Sequence, residues 1–195
     1  PALASARPDL AVKNGQRPWT DNKGLAWIDP AAKEAWDYNI AIAQDAAARG
    51  FDEINFDYIR FPTDGNLGVI TYPFWDRKIP MRGVISEFFE KLRQGLPNMK
   101  ISIDLFGFVM TKREDFGVGQ VVEDAFKYFD FISPMLYPSH YPDTYLGFAN
   151  PAEHPYEIVK TAMDSGLKRL SDFQRSVKNP PARSVNFRPW IQDFN

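Results

Sequence analysis

The segment Phe51-Asp-Glu-Ile-Asn-Phe-Asp-Tyr-Ile-Arg-Phe-Pro62 predicts a buried β-strand over Ile54–Phe61. The run is short and rich in aromatic and β-branched residues, which is typical of a strand with both faces covered. Side chains of a strand point alternately to its two faces, so Asn55 and Asp57 share one face and the apolar residues between them occupy the other. A polar pair is therefore expected near the end of an apolar strand.

The segment Lys100-Ile-Ser-Ile-Asp-Leu-Phe106 repeats this pattern, with Ser102 and Asp104 on one face. Two aspartates in matching register on successive strands are expected within several ångströms of each other, the separation that the paired carboxyl groups of glycosidases require. Aspartate is also a common cap and turn residue, so one or both could be structural. Arg60 could hold one of them, or an anionic ligand group, through its planar fork.

Strands and helices alternate along the chain, which favours a parallel sheet with helical crossovers. After an irregular lead-in over residues 1–22, the predicted elements are a strand at Leu25–Ile28, a helix from Asp29-Pro30 to Gly50, the strand at Ile54–Phe61, a helix at Arg82–Gln94, the strand at Lys100–Phe106, a helix near Val118–Tyr128, a strand near Phe131–Tyr137, a helix at about Pro155–Arg175 and a strand near Ser184–Ile191.

Two architectures share this alternation, an open doubly wound sheet and a closed eight-stranded barrel. The doubly wound sheet usually has a glycine-rich turn after its first strand, and none is present here. Aspartates near the carboxyl ends of strands are typical of barrel enzymes. We therefore expect residues 1–195 to form a single α/β domain of the barrel type.

The composition excludes several function classes. A net charge of −2 provides no basic field for phosphates, so nucleic acid is not an expected partner. The chain has no cysteine and its two histidines, His140 and His154, lie in separate loops, so no metal or other cofactor is predicted. No segment has the length of a membrane span, and nothing in the chain itself indicates its localisation. Aromatic residues make up 15% of the chain and are suited both to core packing and to stacking on sugars.

Four segments together resemble the bacterial family described as "putative glycosyl hydrolase domain", which is related to glycoside-hydrolase-like (β/α)8 barrels. They are Gly24-Leu-Ala-Trp-Ile-Asp-Pro30, Asp52–Pro62, Ser133-Pro-Met-Leu-Tyr-Pro138 and Arg188-Pro-Trp-Ile-Gln-Asp-Phe194. The resemblance implies a (β/α)8 barrel of which this chain contains only a part, with strands 1, 2 and 8 expected in the rest of a longer chain. It also implies a carbohydrate substrate and favours an extracellular or cell-envelope location.

By position in such a barrel, the resemblance implies that Asp57 is the nucleophile on strand 4, Asp104 the proton donor on strand 5 and Asp193 a stabilising acid on strand 7. Asp193 has the opposite strand parity to Trp190 and Gln192, which counts against it unless the strand has already ended. The residues expected to bind substrate are Trp27, Asn55, Tyr58, Arg60, Tyr72, Trp75, Tyr137, Trp190 and Gln192.

Two rival functions stay open at this point. A barrel that binds carbohydrate without catalysis would keep the aromatic groove and lose the chemistry. A metal-assisted hydrolase or deacetylase would use Asp57, Asp104 and a loop histidine.

Overall fold

The computed structural model describes residues 2–178 and 184–193, and the chain divides into two compact units. The first unit comprises Pro1–Phe51, Arg60–Pro97 and Asp115–Gly119, and the second comprises Asp52–Ile59, Asn98–Glu114 and Gln120–Asn195. No helix in the described part of the chain is both long and apolar enough to cross a membrane.

The first unit begins with helix α1 (Ala2–Ala6) and a two-stranded antiparallel hairpin, β1 (Lys13–Asn14) and β2 (Arg17–Pro18). The lead-in over residues 1–22, which the sequence predicts to be irregular, therefore contains a short helix and a hairpin. The strand predicted at Leu25–Ile28 is wrong, because only isolated antiparallel bridges form there, at Ala26 and Ile28. The two bridges go to different partners, so no ladder of consecutive pairs can grow into a strand.

Helix α2 (Lys33–Ala48) begins later than the predicted Asp29-Pro30 start. The Asp29 carboxylate does not cap this helix, since it accepts hydrogen bonds from the backbone amides of Ala31, Phe74 and Trp75. Asp29 is fully buried, and this burial raises the pKa of its carboxyl group against the lowering effect of those three amides. Its role is to connect two loops of the first unit.

Helix α3 (Met81–Gly95) matches the helix predicted at Arg82–Gln94 to within one residue at each end. It packs on α2 through stacked rings of Trp36 and Phe88, whose centroids are 5.1 Å apart. The two helices of this unit therefore bury apolar side chains against each other.

The second unit contains a sheet in which every described strand pairing is parallel. Its strands are β3 (Glu53–Phe56), β4 (Lys100–Phe106), β5 (Phe131–Leu136), β6 (Asn186–Phe187) and β7 (Trp190–Ile191). The order is β3-β4-β5, with both β6 and β7 paired to β5. The expected α/β class with a parallel sheet is confirmed, whereas residues 2–178 and 184–193 do not form a closed barrel.

Two strands end or break where the backbone conformation requires it. The strand predicted over Ile54–Phe61 stops at Phe56, because Tyr58 has a φ of 49°, which lies outside the extended region. The last predicted strand, Ser184–Ile191, divides into β6 and β7 around Pro189, which has no amide hydrogen to donate to a ladder.

Two helices complete the second unit. Helix α4 is limited to Val122–Ala125, much shorter than predicted near Val118–Tyr128, and the positive φ of Gly119 keeps the predicted first turn out of the helix. Helix α5 (Pro155–Ser176) ends one residue after its predicted C-terminus.

Helix α5 holds the turn that follows β4. The guanidinium of Arg169 on α5 is buried, pairs with Glu123 and donates hydrogen bonds to the carbonyl oxygens of Val109 and, at 2.6 Å, Lys112. Ser165 donates a further hydrogen bond of 2.8 Å to the carbonyl of Met110. These contacts attach the turn at the carboxyl end of β4 to the longest helix of the unit.

Candidate functional site

The two aspartates lie near the carboxyl ends of β3 and β4. Phe56, the last residue of β3, is paired with Ile103; Asp57 directly follows β3, and Asp104 is the next residue of β4. Because adjacent strands are about 4.8 Å apart, this register brings the backbones of Phe56 and Ile103 to roughly that separation just before the two aspartates. Asp57 is exposed, whereas Asp104 is 5% exposed.

A chain of hydrogen bonds across three strands orients the Asp104 carboxylate. The hydroxyl of Ser102 donates to Oδ1 of Asn55 over 2.7 Å, and Nδ2 of Asn55 donates to Oδ2 of Asp104 over 2.9 Å. On the other side, Nε1 of Trp190 donates to Oδ1 of Asp104 over 2.8 Å. Both oxygens of this buried carboxylate therefore have a partner, and its plane is held from two directions.

This network confirms the strand parity inferred from the sequence. Asn55, Ser102 and Asp104 share one face, and on the opposite face the ring of Phe56 contacts Phe129 edge-on, with centroids 6.5 Å apart. The interaction of Trp190 with Asp104 was not foreseen, since nothing local in the sequence connects residues that are 86 positions apart.

Tyr137, directly after β5, is affected electrostatically by both aspartates. Burial raises the pKa of its hydroxyl, and the negative charges of Asp104 and then Asp57 raise it further. The hydroxyl therefore stays protonated at neutral pH and can donate a hydrogen bond. The charges of both candidate acids therefore act on this one side chain.

The segment after Asp57 is fixed to the end of β4 by Gln120, a fully buried residue that sequence reasoning missed. Its Nε2 donates to the carbonyl of Ile59 over 2.8 Å, and its Oε1 accepts from the amide of Phe106 over 2.9 Å. Between these points Tyr58 adopts its positive φ, a conformation that is costly for a bulky residue and that often occurs at functional sites.

An aromatic cavity of about 180 Å³ lies at this end of the sheet. It is lined by Tyr58, Phe106, Gly107, Phe108, Met135, Tyr137, His140 and Tyr141. The sequence predicted Tyr58 and Tyr137 as ligand-binding residues and missed the others. Their positions in the sequence could have indicated them, because Phe106 is the last residue of β4 and Phe108 follows it closely, while His140 and Tyr141 closely follow the end of β5.

A second, more polar cavity of about 520 Å³ is lined by Glu53, Asn55, Ser102, Ser133, Arg188, Pro189 and Trp190. Three of these residues belong to the Asp104 network, so the network forms part of its wall. Glu53 and Arg188 form an ion pair there. Burial raises the pKa of Glu53, but the interactions with Arg188 and Ser102 outweigh this effect, and the net pKa lies below the ordinary value.

The remaining predicted residues of the second unit follow β7. Oε1 of Gln192 accepts a hydrogen bond of 3.1 Å from the amide of Ser139, which connects the ends of β7 and β5. Asp193 is exposed and is not part of the hydrogen-bond network around Asp104. Its catalytic role therefore stays a prediction.

Four predicted binding residues belong to the first unit. The guanidinium of Arg60 lies 4.7 Å from the ring centroid of Trp27, a cation–π contact. The rings of Tyr72 and Trp75 meet edge-on, with centroids 5.1 Å apart. These contacts show ordinary aromatic packing within the unit, and the role of the four residues in binding substrate stays a prediction.

The described residues contain no group of three histidine, aspartate or glutamate side chains arranged to hold a metal ion. His140 lines the aromatic cavity, whereas His154 stacks on Phe148 with centroids 3.8 Å apart. Neither histidine is grouped with two further metal-ligating side chains among the residues that the structure describes.

Comparison with known proteins identifies relatives of limited coverage. No curated protein matches the chain. A solved structure of a hypothetical protein from Ruminiclostridium thermocellum is 41% identical, with a TM-score of 0.48, over 53% of this chain and 52% of that one. The match thus spans about half the length of that protein. A family model covers all of residues 1–195, and the chain therefore belongs to the family described as "Putative glycosyl hydrolase domain".

Proposed function

We propose that this chain carries the catalytic acids of a glycoside hydrolase that cleaves a poly- or oligosaccharide, on a sheet that belongs to a (β/α)8-type barrel. Family membership supports the reaction class, and the parallel sheet with acids at its carboxyl end supports the barrel. The observation on which the proposal chiefly depends is the register of β3 and β4, which places Asp57 directly after Phe56 and Asp104 directly after its partner Ile103, with the Asp104 carboxyl group held by Asn55 and Trp190.

In this proposal, the exposed Asp57 is the nucleophile and Asp104 the proton donor. One oxygen of Asp57 attacks the anomeric carbon while the bond to the leaving oxygen breaks and that oxygen takes the proton of Asp104. Asp104 then removes a proton from water, and this water displaces Asp57 from the covalent intermediate. Adjacent strands in matching register favour the short carboxyl separation, about 5–5.5 Å, of a retaining enzyme.

The other residues have supporting roles in this mechanism. The protonated hydroxyl of Tyr137 can donate to a carboxylate or to a sugar oxygen beside it. Asn55 and Trp190 keep the Asp104 carboxyl group in one orientation, which proton transfer to a fixed oxygen requires. Asp193 is assigned the stabilisation of positive charge on the sugar ring. The aromatic side chains supply faces on which sugar rings stack.

Substitution of the nucleophile tests the proposal. In the full-length protein, Asp57→Asn should lower turnover of a cleaved glycan by at least about a thousandfold, with glycan binding retained. Asp164→Asn on α5 is the matched control, because Asp164 is exposed and bonds only Lys160 among the described residues. Sodium azide should restore cleavage in Asp57→Gly and yield a glycosyl azide. Turnover unchanged by Asp57→Asn would refute the mechanism.

A second candidate function is carbohydrate binding without catalysis. It is favoured by the fact that both oxygens of Asp104 accept hydrogen bonds within the protein, which is also how a purely structural aspartate is held. In that case the wild-type protein binds oligosaccharides and releases no product, even in overnight incubation. Product that increases in proportion to enzyme concentration would exclude this function.

A further inference from the structure

The hydroxyl group of Tyr141 is buried and has no hydrogen-bond partner within the described part of the chain. The residue is 5% exposed and is packed by neighbouring rings, with Phe108 at 4.4 Å and Tyr145 at 4.7 Å between centroids. A buried hydroxyl without a partner costs folding free energy, and native proteins rarely leave one in that state. Burial also raises the pKa of this phenol, so the group stays neutral and able to donate.

Tyr141 lines the aromatic cavity, whose volume is about 180 Å³. This is well below the roughly 300–1,000 Å³ of a pocket for a drug-sized ligand, so it has room for one small ring. A pyranose has an apolar face of C–H groups and hydroxyl groups around its edge. The apolar face can stack on the rings of Phe106 and Phe108, and a ring hydroxyl can bind the phenol of Tyr141, which lacks a partner among the described residues.

The cavity also borders the proposed reaction centre. Tyr137 is common to both, since it lines the cavity and is influenced by the charges of Asp104 and Asp57. Because the Tyr141 hydroxyl is buried, a ligand reaches it only when neighbouring groups shift. The turn that follows contains Thr144 and Leu146 at φ angles of 68° and 55°, conformations that are unfavourable for these residues.

We propose that the aromatic cavity is a subsite for a single sugar ring beside the cleavage point, and that the Tyr141 hydroxyl is the polar group that selects for a ring hydroxyl there. This subsite rests on the proposed glycosidase function. It assigns a specificity-determining residue that the sequence pattern did not identify.

Tyr141→Phe is the informative variant because it removes only the hydroxyl. The full-length protein is assayed with cellotetraose, maltotetraose, xylotetraose and chitotetraose, by product release and by calorimetric titration. For the glycan that is cleaved, the KM and the Kd should rise about 3- to 10-fold while kcat stays within twofold, since this contact is made before and during reaction. The melting temperature should be unchanged or higher, because the protein loses a group that it does not satisfy itself.

Tyr145→Phe is the matched control. The Tyr145 ring also packs on Phe108, but its hydroxyl makes a long contact of 3.5 Å to Thr111 and it does not line the cavity. This variant should keep the wild-type KM.

The outcomes separate the two proposals. Cleavage with an unchanged KM in Tyr141→Phe overturns the subsite and leaves the glycosidase function standing. A lower melting temperature in Tyr141→Phe also overturns the subsite, since the hydroxyl then has a partner inside the protein. If the wild-type protein neither binds nor cleaves any of the four glycans, both proposals fail.

Discussion

The variant Trp190→Phe should distinguish the effect of the hydrogen bond that orients Asp104 from the effect of the aromatic ring that packs beside it. The indole Nε1 donates a hydrogen bond of 2.8 Å to Oδ1 of Asp104, and phenylalanine keeps an aromatic ring while removing that donor. Asp104 is 5% exposed, so water replaces the lost donor poorly. Its Oδ2 still accepts from Asn55, which leaves the carboxyl group held on one side only.

The magnitude follows from the type of bond that is lost. A buried acceptor that is left without a partner costs about 1–3 kcal/mol. Trp190 is 51% exposed, so the change of ring size adds little. We expect the free energy of unfolding to fall by about 1–3 kcal/mol. If the proton donor also loses its orientation by the same energy, kcat should fall by about 5- to 150-fold.

Urea unfolding followed by circular dichroism measures the first effect, and initial rates on the cleaved glycan measure the second. Trp36→Phe is the matched control, because its Nε1 donates over 2.7 Å to the backbone carbonyl of Pro30 in the first unit. The control should lose stability and keep kcat. A Trp190→Phe enzyme with wild-type kcat would refute the orienting role of this hydrogen bond.

Three further variants test individual contacts. Glu123→Gln leaves the buried Arg169 guanidinium without its charge partner and should lower the free energy of unfolding by about 3–5 kcal/mol in urea titrations; a loss below 1 kcal/mol would contradict this. Glu53→Gln should lower the free energy of unfolding most at pH values above 4.5, the ordinary pKa of glutamate, because the hydrogen bond from Arg188 helps to hold the pKa of Glu53 in the folded protein below that value. The difference in stability between the variant and the wild type should shrink as the pH falls through the lowered pKa. Urea titrations from pH 3 to 7 that give a constant difference would exclude this coupling. Gly107→Ala places a Cβ 2.3 Å from a carbonyl oxygen of β5 and should cost about 1–3 kcal/mol in thermal or urea unfolding, whereas a wild-type melting temperature would mean that the two strands separate easily.

The long elements were predictable because their own residues carry the signal. Helix α3 and strand β4 match their predicted bounds closely, and each has a continuous apolar pattern of the right period over many residues. The register that aligns Asn55 with Ser102 could also be anticipated, because two strands share the same alternation and parity fixes which side chains share a face.

The predictions that failed concern features that depend on contacts between residues distant in the sequence. The run Leu25–Ile28 has strand-like composition, but it forms only isolated bridges, and composition does not reveal the number of partners. The turn at Tyr58 was missed because a positive φ at a tyrosine contradicts its local preference and is maintained by tertiary contacts such as those of Gln120. Of the site itself, the aspartates were predictable from parity, whereas the Trp190 donor and the aromatic cavity were not.

The hydrogen-bond chain around Asp104 should also affect the order of events during folding. Its two links to the carboxylate join residues 49 and 86 positions apart, so the site depends on contacts that close large loops. Such contacts form slowly, since chain entropy must be lost before they contribute energy. On the ribosome, Asp104 can acquire its second partner only after Trp190 has left the exit tunnel. Quenching of indole fluorescence should therefore appear among the last signals of refolding, and the return of enzymatic activity should coincide with that phase rather than with the earlier formation of helices.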